Sequence, residues 1–194
     1  MATYDSNTAL IVVDVQNDFA DPSGSLYVTG GQEVVDAANR EIERARAAGA
    51  MLVYTQDWHP ESTPHFQKDG GIWPVHCVRE TWGAEFHPRL DVEGAVVRKG
   101  SGGEDGYSGF TVRDPVSGHT TATELESLLR ARNVTKAIVV GLATDYCVKE
   151  TAIDSTRLGF DTTVLSAGVR AVDLEPGDGV RALDDIRREG GRVE

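Results

Sequence analysis

Residues 8–15 form a short, continuous apolar run that ends in acidic and amide residues, the pattern of a strand buried on both faces of a parallel sheet. The strand closes at Asp14. After a Gly-containing stretch, residues 32–48 set Val34, Val35, Ala38, Ile42 and Ala45 on one helical stripe with charges elsewhere, and Gly49 stands where a C-terminal cap belongs. The alternation then repeats. Residues 50–55, 95–98, 136–140 and 162–165 read as further strands. Residues 123–132, with Leu125, Leu128 and Leu129 at helical spacing, read as a helix, as do 145–158 and 180–189. Strands alternating with helices require right-handed crossovers and helices on both sides of the sheet. The expected fold is α/β, a three-layer αβα sandwich with a mainly parallel central sheet.

At 194 residues the chain fits one domain, 1–194, long enough to bury a core without disulfides or metals. Hydrophobic residues make up 40% and charged residues 26%, the balance of a soluble globular protein. A formal charge of −12, from 19 Lys and Arg against 31 Asp and Glu, offers no obvious basic patch for nucleic acid or an anionic membrane. The first eight residues carry no basic region, and the apolar run at 9–13 is too short for a signal sequence or membrane span, so a cytoplasmic protein is expected. In that compartment Cys77 and Cys147 read as reduced thiols. Residues 190–194 fall where one more edge strand would start, and a trimmed terminus is one reading of that end.

The interval 56–94 breaks the pattern. It is rich in Pro, His, Trp and Gly, and far longer than an ordinary strand-to-helix connection. It carries all three tryptophans and four of the five histidines, too aromatic a content for a disordered linker, so a functional loop is expected there.

Ligands of open α/β sheets bind at the carboxyl ends of the strands. Four such ends carry reactive groups: Asp14, then Asp57 with His59, then Lys99, then the turn before Cys147. A lone cysteine is more often a buried structural residue, an Asp after a strand more often a turn former, and a lysine more often a surface charge. At neighbouring strand ends the three make chemical sense together. A carboxylate takes the thiol proton and returns it to a leaving amine, and a buried ammonium keeps that carboxylate ionised. Cys147 sits between a buried strand and a helix, where backbone N–H groups favour thiolate and offer donors to an oxyanion.

Asp57 and His59, two apart, point to one side of an extended segment, and the loop can bring His65 and His76 around to them. An aspartate with several imidazoles suits one divalent metal, with Zn first and Mn or Fe as alternatives. His87 and His119 read as solvent-exposed or hydrogen-bonded residues.

With these residues in place, the chain resembles the nicotinamidases of the isochorismatase-like cysteine hydrolase superfamily over almost its whole length. The matching segments are Ile11-Val12-Val13-Asp14-Val15-Gln16-Asn17-Asp18-Phe19, Asp57-Trp58-His59-Pro60, Trp73-Pro74-Val75-His76-Cys77-Val78, Lys99-Gly100, Tyr107-Ser108-Gly109-Phe110 and Gly141-Leu142-Ala143-Thr144-Asp145-Tyr146-Cys147-Val148. The resemblance implies Cys147 as nucleophile, Asp14 as general base and acid, Lys99 as the third member of a triad, and Asp57, His59, His65 and His76 as metal ligands, so that the loop at about 56–94 is a metal-binding insertion. It also implies that Phe19, Trp73 and Tyr107 surround the substrate ring. A cis peptide before Ala143 is implied too, aiming the N–H groups of Ala143 and Cys147 at the oxyanion. Tyr146 stands where relatives also carry histidine. The implied reaction is hydrolysis of nicotinamide to nicotinate and ammonia through a thioester, in NAD salvage, with pyrazinamide as a further substrate and the metal holding the pyridine nitrogen. The partner is thus a small molecule, and a homo-oligomer is compatible with the sequence.

Three alternatives stay open: an isochorismatase, another amidohydrolase of the fold such as an N-carbamoyl amidohydrolase, and a non-catalytic metal-binding relative. By the same resemblance, the first does not need the cysteine and the second does not need the Asp/His cluster, so retention of both points to nicotinamide.

Overall fold

The computed structural model describes residues 3–194, so Met1 and Ala2 of the amino-terminal segment lie outside the described residues. In chain order the elements are β1 (Thr8–Val13), α1 (Asn17–Ala20), α2 (Gly31–Ala47), β2 (Met51–Asp57), β3 (Ala95–Lys99), β4 (Thr111–Arg113), β5 (Thr120–Ala122), α3 (Leu125–Ala131), β6 (Lys136–Leu142), a π-helical turn (Thr144–Val148), α4 (Lys149–Arg157), β7 (Asp161–Arg170), α5 (Asp178–Arg188) and β8 (Arg192–Val193). Six strands form one sheet in the order β3-β2-β1-β6-β7-β8, every pairing parallel. Strands β4 and β5 make a separate antiparallel hairpin.

The continuous apolar run of β1 has a direct physical reason: all six residues are buried, because the strand has a core on each face. Leu10 and Val12 pack with Val34, Val35, Ala38, Ile42 and Ala45 of α2. The intervening Ala9, Ile11 and Val13 pack with Leu125 and Leu129 of α3, Ala152 and Ile153 of α4, and Ile186 of α5. The sheet is therefore the middle of three layers.

Chain direction across the sheet reverses between β1 and β6, so the crevice at their carboxyl ends is the switch point where such folds bind ligands. Two backbone features shape it. Gly141 has φ +125°, and a Cβ there would lie 2.1 Å from the Val13 carbonyl oxygen, so only glycine lets β6 approach β1 this closely. The ladder between β6 and β7 also shifts register between Val139 and Gly141.

Several elements differ from the sequence reading. Strand β2 runs on to Asp57, which pairs in register with Lys99 at the end of β3. Strand β7 continues to Arg170, well past residue 165, an extension hidden from the sequence reading because exposed Ser166 and Ala167 and the small Gly168 interrupt the apolar run before buried Val169 resumes it. The helix expected over 145–158 divides into the π-helical turn and α4. The hairpin β4–β5 has no buried residue, so it left no apolar alternation to read. At the carboxyl end the reading holds: the edge strand expected to start within 190–194 is β8, two residues paired with β7.

The crossover from β2 to β3 contains only two single 3-10 turns, Gln67–Asp69 and Trp82–Ala84. It is nonetheless packed: Phe66 and Cys77 are fully buried, and short bridges tie His59 to Val78, Phe66 to Trp73 and Phe86 to Gln16. No helix among the described residues is long and apolar enough to cross a membrane.

Candidate active site

Four adjacent strands, β3, β2, β1 and β6, each deliver one reactive group to the carboxyl edge of the sheet: Lys99, Asp57, Asp14 and Cys147. Asp14 leaves β1 with φ +49°, in the left-handed region that Asp tolerates better than most residues, and this turns its carboxylate back over the sheet. Thr55 Oγ1 donates to Asp14 Oδ1 at 2.6 Å, and Lys99 Nζ donates to Asp14 Oδ2 at 2.7 Å. Lys99 also donates to the Gly106 carbonyl and lies 2.8 Å from Asp57 Oδ1 as an ion pair outside hydrogen-bond geometry. Its side chain is fully buried, so a buried cation is matched by two buried carboxylates.

Cys147 lies in the π-helical turn after β6. The Leu142–Ala143 peptide is cis, and the Ala143 carbonyl accepts from the N–H groups of Tyr146 and Val148, each at 3.1 Å. Cys147 Sγ and carboxylate oxygens of Asp14 and Asp57 all lie within 4.8 Å of one another. Asp145 in the same turn accepts N–H bonds from Val172 and Asp173, which ties the turn to the segment after β7.

One ammonium cannot hold two buried carboxylates equally. For Asp14, burial outweighs the Lys99 charge and raises the pKa to about 6. Burial acts on Asp57 in the same sense, but Lys99 and His59 outweigh it and hold that carboxyl well below its ordinary range. Burial opposes the charge on Lys99 as well, yet Asp14 and Asp57 push its pKa well up. The Cys147 thiol is pushed up, first by burial and then by the two carboxylates, against the pull of Lys99. This corrects the expectation of a helix-end thiolate: at rest the proton sits on sulfur, next to a carboxylate whose pKa is within reach of neutrality.

Beyond Asp57 lies a nest of imidazoles. His59, His65 and His76 each offer a ring nitrogen within 4.8 Å of the others, and all three are buried. Asp57 Oδ2 lies 3.8 Å from His59 Nε2 and 4.0 Å from His76 Nε2. His76 Nδ1 bonds the Pro74 carbonyl at 2.8 Å and His65 Nδ1 bonds Asp105 Oδ1 at 2.7 Å, leaving the Nε2 of each ring uncommitted. Both nitrogens of His59 are buried without a hydrogen-bond partner. Orphaned buried imidazole nitrogens are costly, and three neutral rings beside a carboxylate are the donor set of a divalent transition metal. Burial is the main cause that lowers the pKa values of His65 and His76, and it keeps both rings neutral, as metal ligation requires. The residues fit the metal.

A cleft of about 440 Å³, counting its open mouth, joins the two groups. Phe19, Trp73 and Tyr107 line it, with Trp73 Nε1 donating to the Tyr107 hydroxyl at 2.8 Å. Tyr146 completes an aromatic wall, its ring edge-on to Trp73 with centroids 4.8 Å apart. Leu142, at the end of β6, lines it too, as do Leu26, Val28 and Val172, which the sequence reading missed because they come from separate loops. It also missed Gln16, whose amide donates to the Asp57 carbonyl and accepts from the Asp57 N–H, both at 2.8 Å. Of the remaining candidates, His87 is buried and accepts from Arg89 N–H, His119 is exposed, and Cys77 and Cys147 are both free thiols.

A doubly wound parallel sheet with thiol, carboxylate and ammonium gathered at its switch point defines the class, a hydrolase built on a three-layer αβα sandwich. Residues 8–193 match the isochorismatase domain. The chain belongs to that family. It is 42% identical over 187 residues to the nicotinamidase/pyrazinamidase of Mycobacterium tuberculosis, covering 92% of this chain and 94% of that protein. Among solved structures, the pyrazinamidase of Pyrococcus horikoshii in complex with zinc superposes with a TM-score of 0.86 at 36% identity, covering 97% of this chain and 98% of that one. The L. infantum protein PnC1, solved in complex with nicotinate, superposes with a TM-score of 0.89 at 33% identity, covering 100% of this chain and 95% of that one.

Proposed function

We propose that this chain is an amidohydrolase that cleaves nicotinamide to nicotinate and ammonia through a thioester on Cys147, that it also cleaves pyrazinamide, and that it acts in NAD salvage in the cytoplasm. The observation that carries the reading is one aromatic-walled cleft lined by the Cys147 thiol, the Asp57 carboxylate and the imidazoles of His65 and His76, with Asp14 and Lys99 buried behind the first two and His59 clustered with the imidazoles. A flat ring bearing a carboxamide and a ring nitrogen matches that arrangement. Relatives named for nicotinamide and pyrazinamide hydrolysis, and a neighbour solved with nicotinate, support it.

Asp14 takes the thiol proton as Cys147 Sγ forms a bond to the carboxamide carbon, and the Ala143 and Cys147 N–H groups receive the oxyanion. When the C–N bond breaks, Asp14 returns that proton and ammonia leaves. Asp14 then takes a proton from water as its oxygen attacks the thioester, and the departing sulfur recovers the proton. Lys99 holds Asp14 in place and keeps it ionisable. Phe19, Trp73 and Tyr107 sandwich the ring, which fixes the carboxamide relative to sulfur. Asp57, His59, His65 and His76 are the ligands for one divalent metal, zinc first, which when bound supplies a Lewis-acid contact that orients the pyridine nitrogen. The whole chain is then one domain with residues 56–94 as its metal-binding insertion. The acidic surface favours a small-molecule partner over nucleic acid or membrane.

The test is release of ammonia and nicotinate from nicotinamide by purified, zinc-loaded protein. Folded, loaded protein that releases neither, or that acts on an N-carbamoyl compound or isochorismate instead, refutes the assignment.

A further inference from the structure

Two of the three clustered histidines have their Nδ1 atoms committed, but by different means. His76 bonds a carbonyl two residues away, within its own loop. His65 bonds a carboxylate forty residues along the chain, Asp105, at 2.7 Å. An ionised carboxylate only accepts, so Nδ1 of His65 carries the proton and its Nε2 lone pair is left for the cluster. Asp105 is itself held by the hairpin. Its N–H donates to the Arg113 carbonyl at 2.8 Å and its carbonyl accepts from the Arg113 N–H at 2.9 Å, Arg113 being the last residue of β4. A second tie lies alongside: Thr63 Oγ1 donates to the Gly103 carbonyl at 2.6 Å and accepts the His65 N–H at 3.2 Å. The loop that carries His65 is thus fastened twice to the segment between β3 and β4.

We propose that Asp105 is a positioning residue for the metal site, seated by the β4–β5 hairpin and fixing the tautomer and ring orientation of His65 so that Nε2 faces His59 and His76. The inference rests on the reading of the imidazole cluster as a metal site. It also gives a role to the hairpin, which contributes nothing to the six-stranded sheet. Carboxylates in this outer position raise metal affinity by restricting the ligand ring before the metal arrives, and their loss lowers affinity about 10–100-fold.

The test measures zinc affinity by competition with a chelator for the wild type, Asp105→Ala and Asp105→Asn, with thermal unfolding of the zinc-free proteins as the control for folding. Asp105→Ala is expected to bind zinc about 10–100-fold more weakly. Asp105→Asn, whose amide oxygen still accepts from Nδ1–H, is expected to lose less. A long-range ¹H–¹⁵N spectrum of the zinc-free wild type should show His65 as the Nδ1–H tautomer, and in Asp105→Ala that preference should relax. The tautomer measurement on wild type needs no variant, so it decides even where Asp105→Ala fails to fold: an Nε2–H His65 overturns the inference. Zinc binding within about twofold of wild type by folded Asp105→Ala overturns it as well. Wild-type protein that takes up no zinc overturns the metal-site reading and this inference with it, whereas a zinc-binding wild type with an indifferent Asp105→Ala overturns this inference alone.

Discussion

Replacing Lys99 by Met removes a buried cation while keeping a side chain of similar length. In the wild type its Nζ lies 2.7 Å from Asp14 Oδ2, and Asp14, raised mainly by burial, titrates at about 6. Asp14 is useful as a base only when ionised, so kcat/KM should rise with pH through that value and the enzyme should be nearly fully active at pH 7. Loss of a unit charge at about 4 Å, with an effective dielectric near 20, is worth about 4 kcal/mol, or about three pKa units. The acid limb of the profile should therefore move to higher pH by about that much, and activity at pH 7 should fall on the order of a hundredfold, recovering as the medium is made more alkaline. The assay is ammonia release from nicotinamide between pH 5 and about 10, the usual span for resolving such limbs. Rates are referred to folded protein by circular dichroism, because breaking a buried ion pair destabilises by about 3–5 kcal/mol. Folded Lys99→Met with the wild-type rate and profile would refute the argument that its charge sets the protonation of Asp14.

Cys147→Ala should abolish turnover while leaving the unfolding temperature near that of wild type, and mass spectrometry should detect an acyl adduct on wild type but none on the variant; substantial residual activity removes the thioester route. His59→Ala, with metal loss verified by elemental analysis, should cut the nicotinamide rate far more than any benzamide rate, since benzamide lacks the ring nitrogen and a misplaced carboxamide costs on the order of a hundredfold. Equal losses for both substrates count against an orienting role. Gly141→Ala should destabilise by about 3–5 kcal/mol, because the new Cβ collides with the Val13 carbonyl at a φ that L residues avoid. A melting temperature within about 2 °C of wild type would mean that β6 retreats from β1 at no cost.

Much of this architecture was legible because it depends on local pattern. The unbroken apolar run of β1 reported two-sided burial, and the stripe from Val34 to Ala45 reported which side of α2 faces the sheet. Asp14, Asp57, Lys99 and Cys147 were legible together because strand ends in a parallel sheet converge, so four separated positions shared one expected edge. What escaped were features made by tertiary contact alone. Val172 and Leu26 enter the cleft from loops with no periodicity, and the Gln16 amide clamps a backbone that nothing in its own neighbourhood identifies. The thiol of Cys147 was misread for the same reason. Proximity to a helix start is visible in sequence, but burial beside two carboxylates is not, and burial is the larger influence.

Asp57 belongs to both halves of the site, one oxygen 2.8 Å from the Lys99 ammonium and the other turned toward His59 and His76. Its two halves therefore cannot drift independently in evolution. A descendant that lost the imidazoles would keep Asp57 only as a second carboxylate beside Lys99, whereas one that lost the lysine would leave Asp14 and Asp57 buried together without their shared cation. Substitutions at the two ends should be epistatic, with double-mutant cycles between Lys99 and His59 departing from additivity even where no atom of one touches the other.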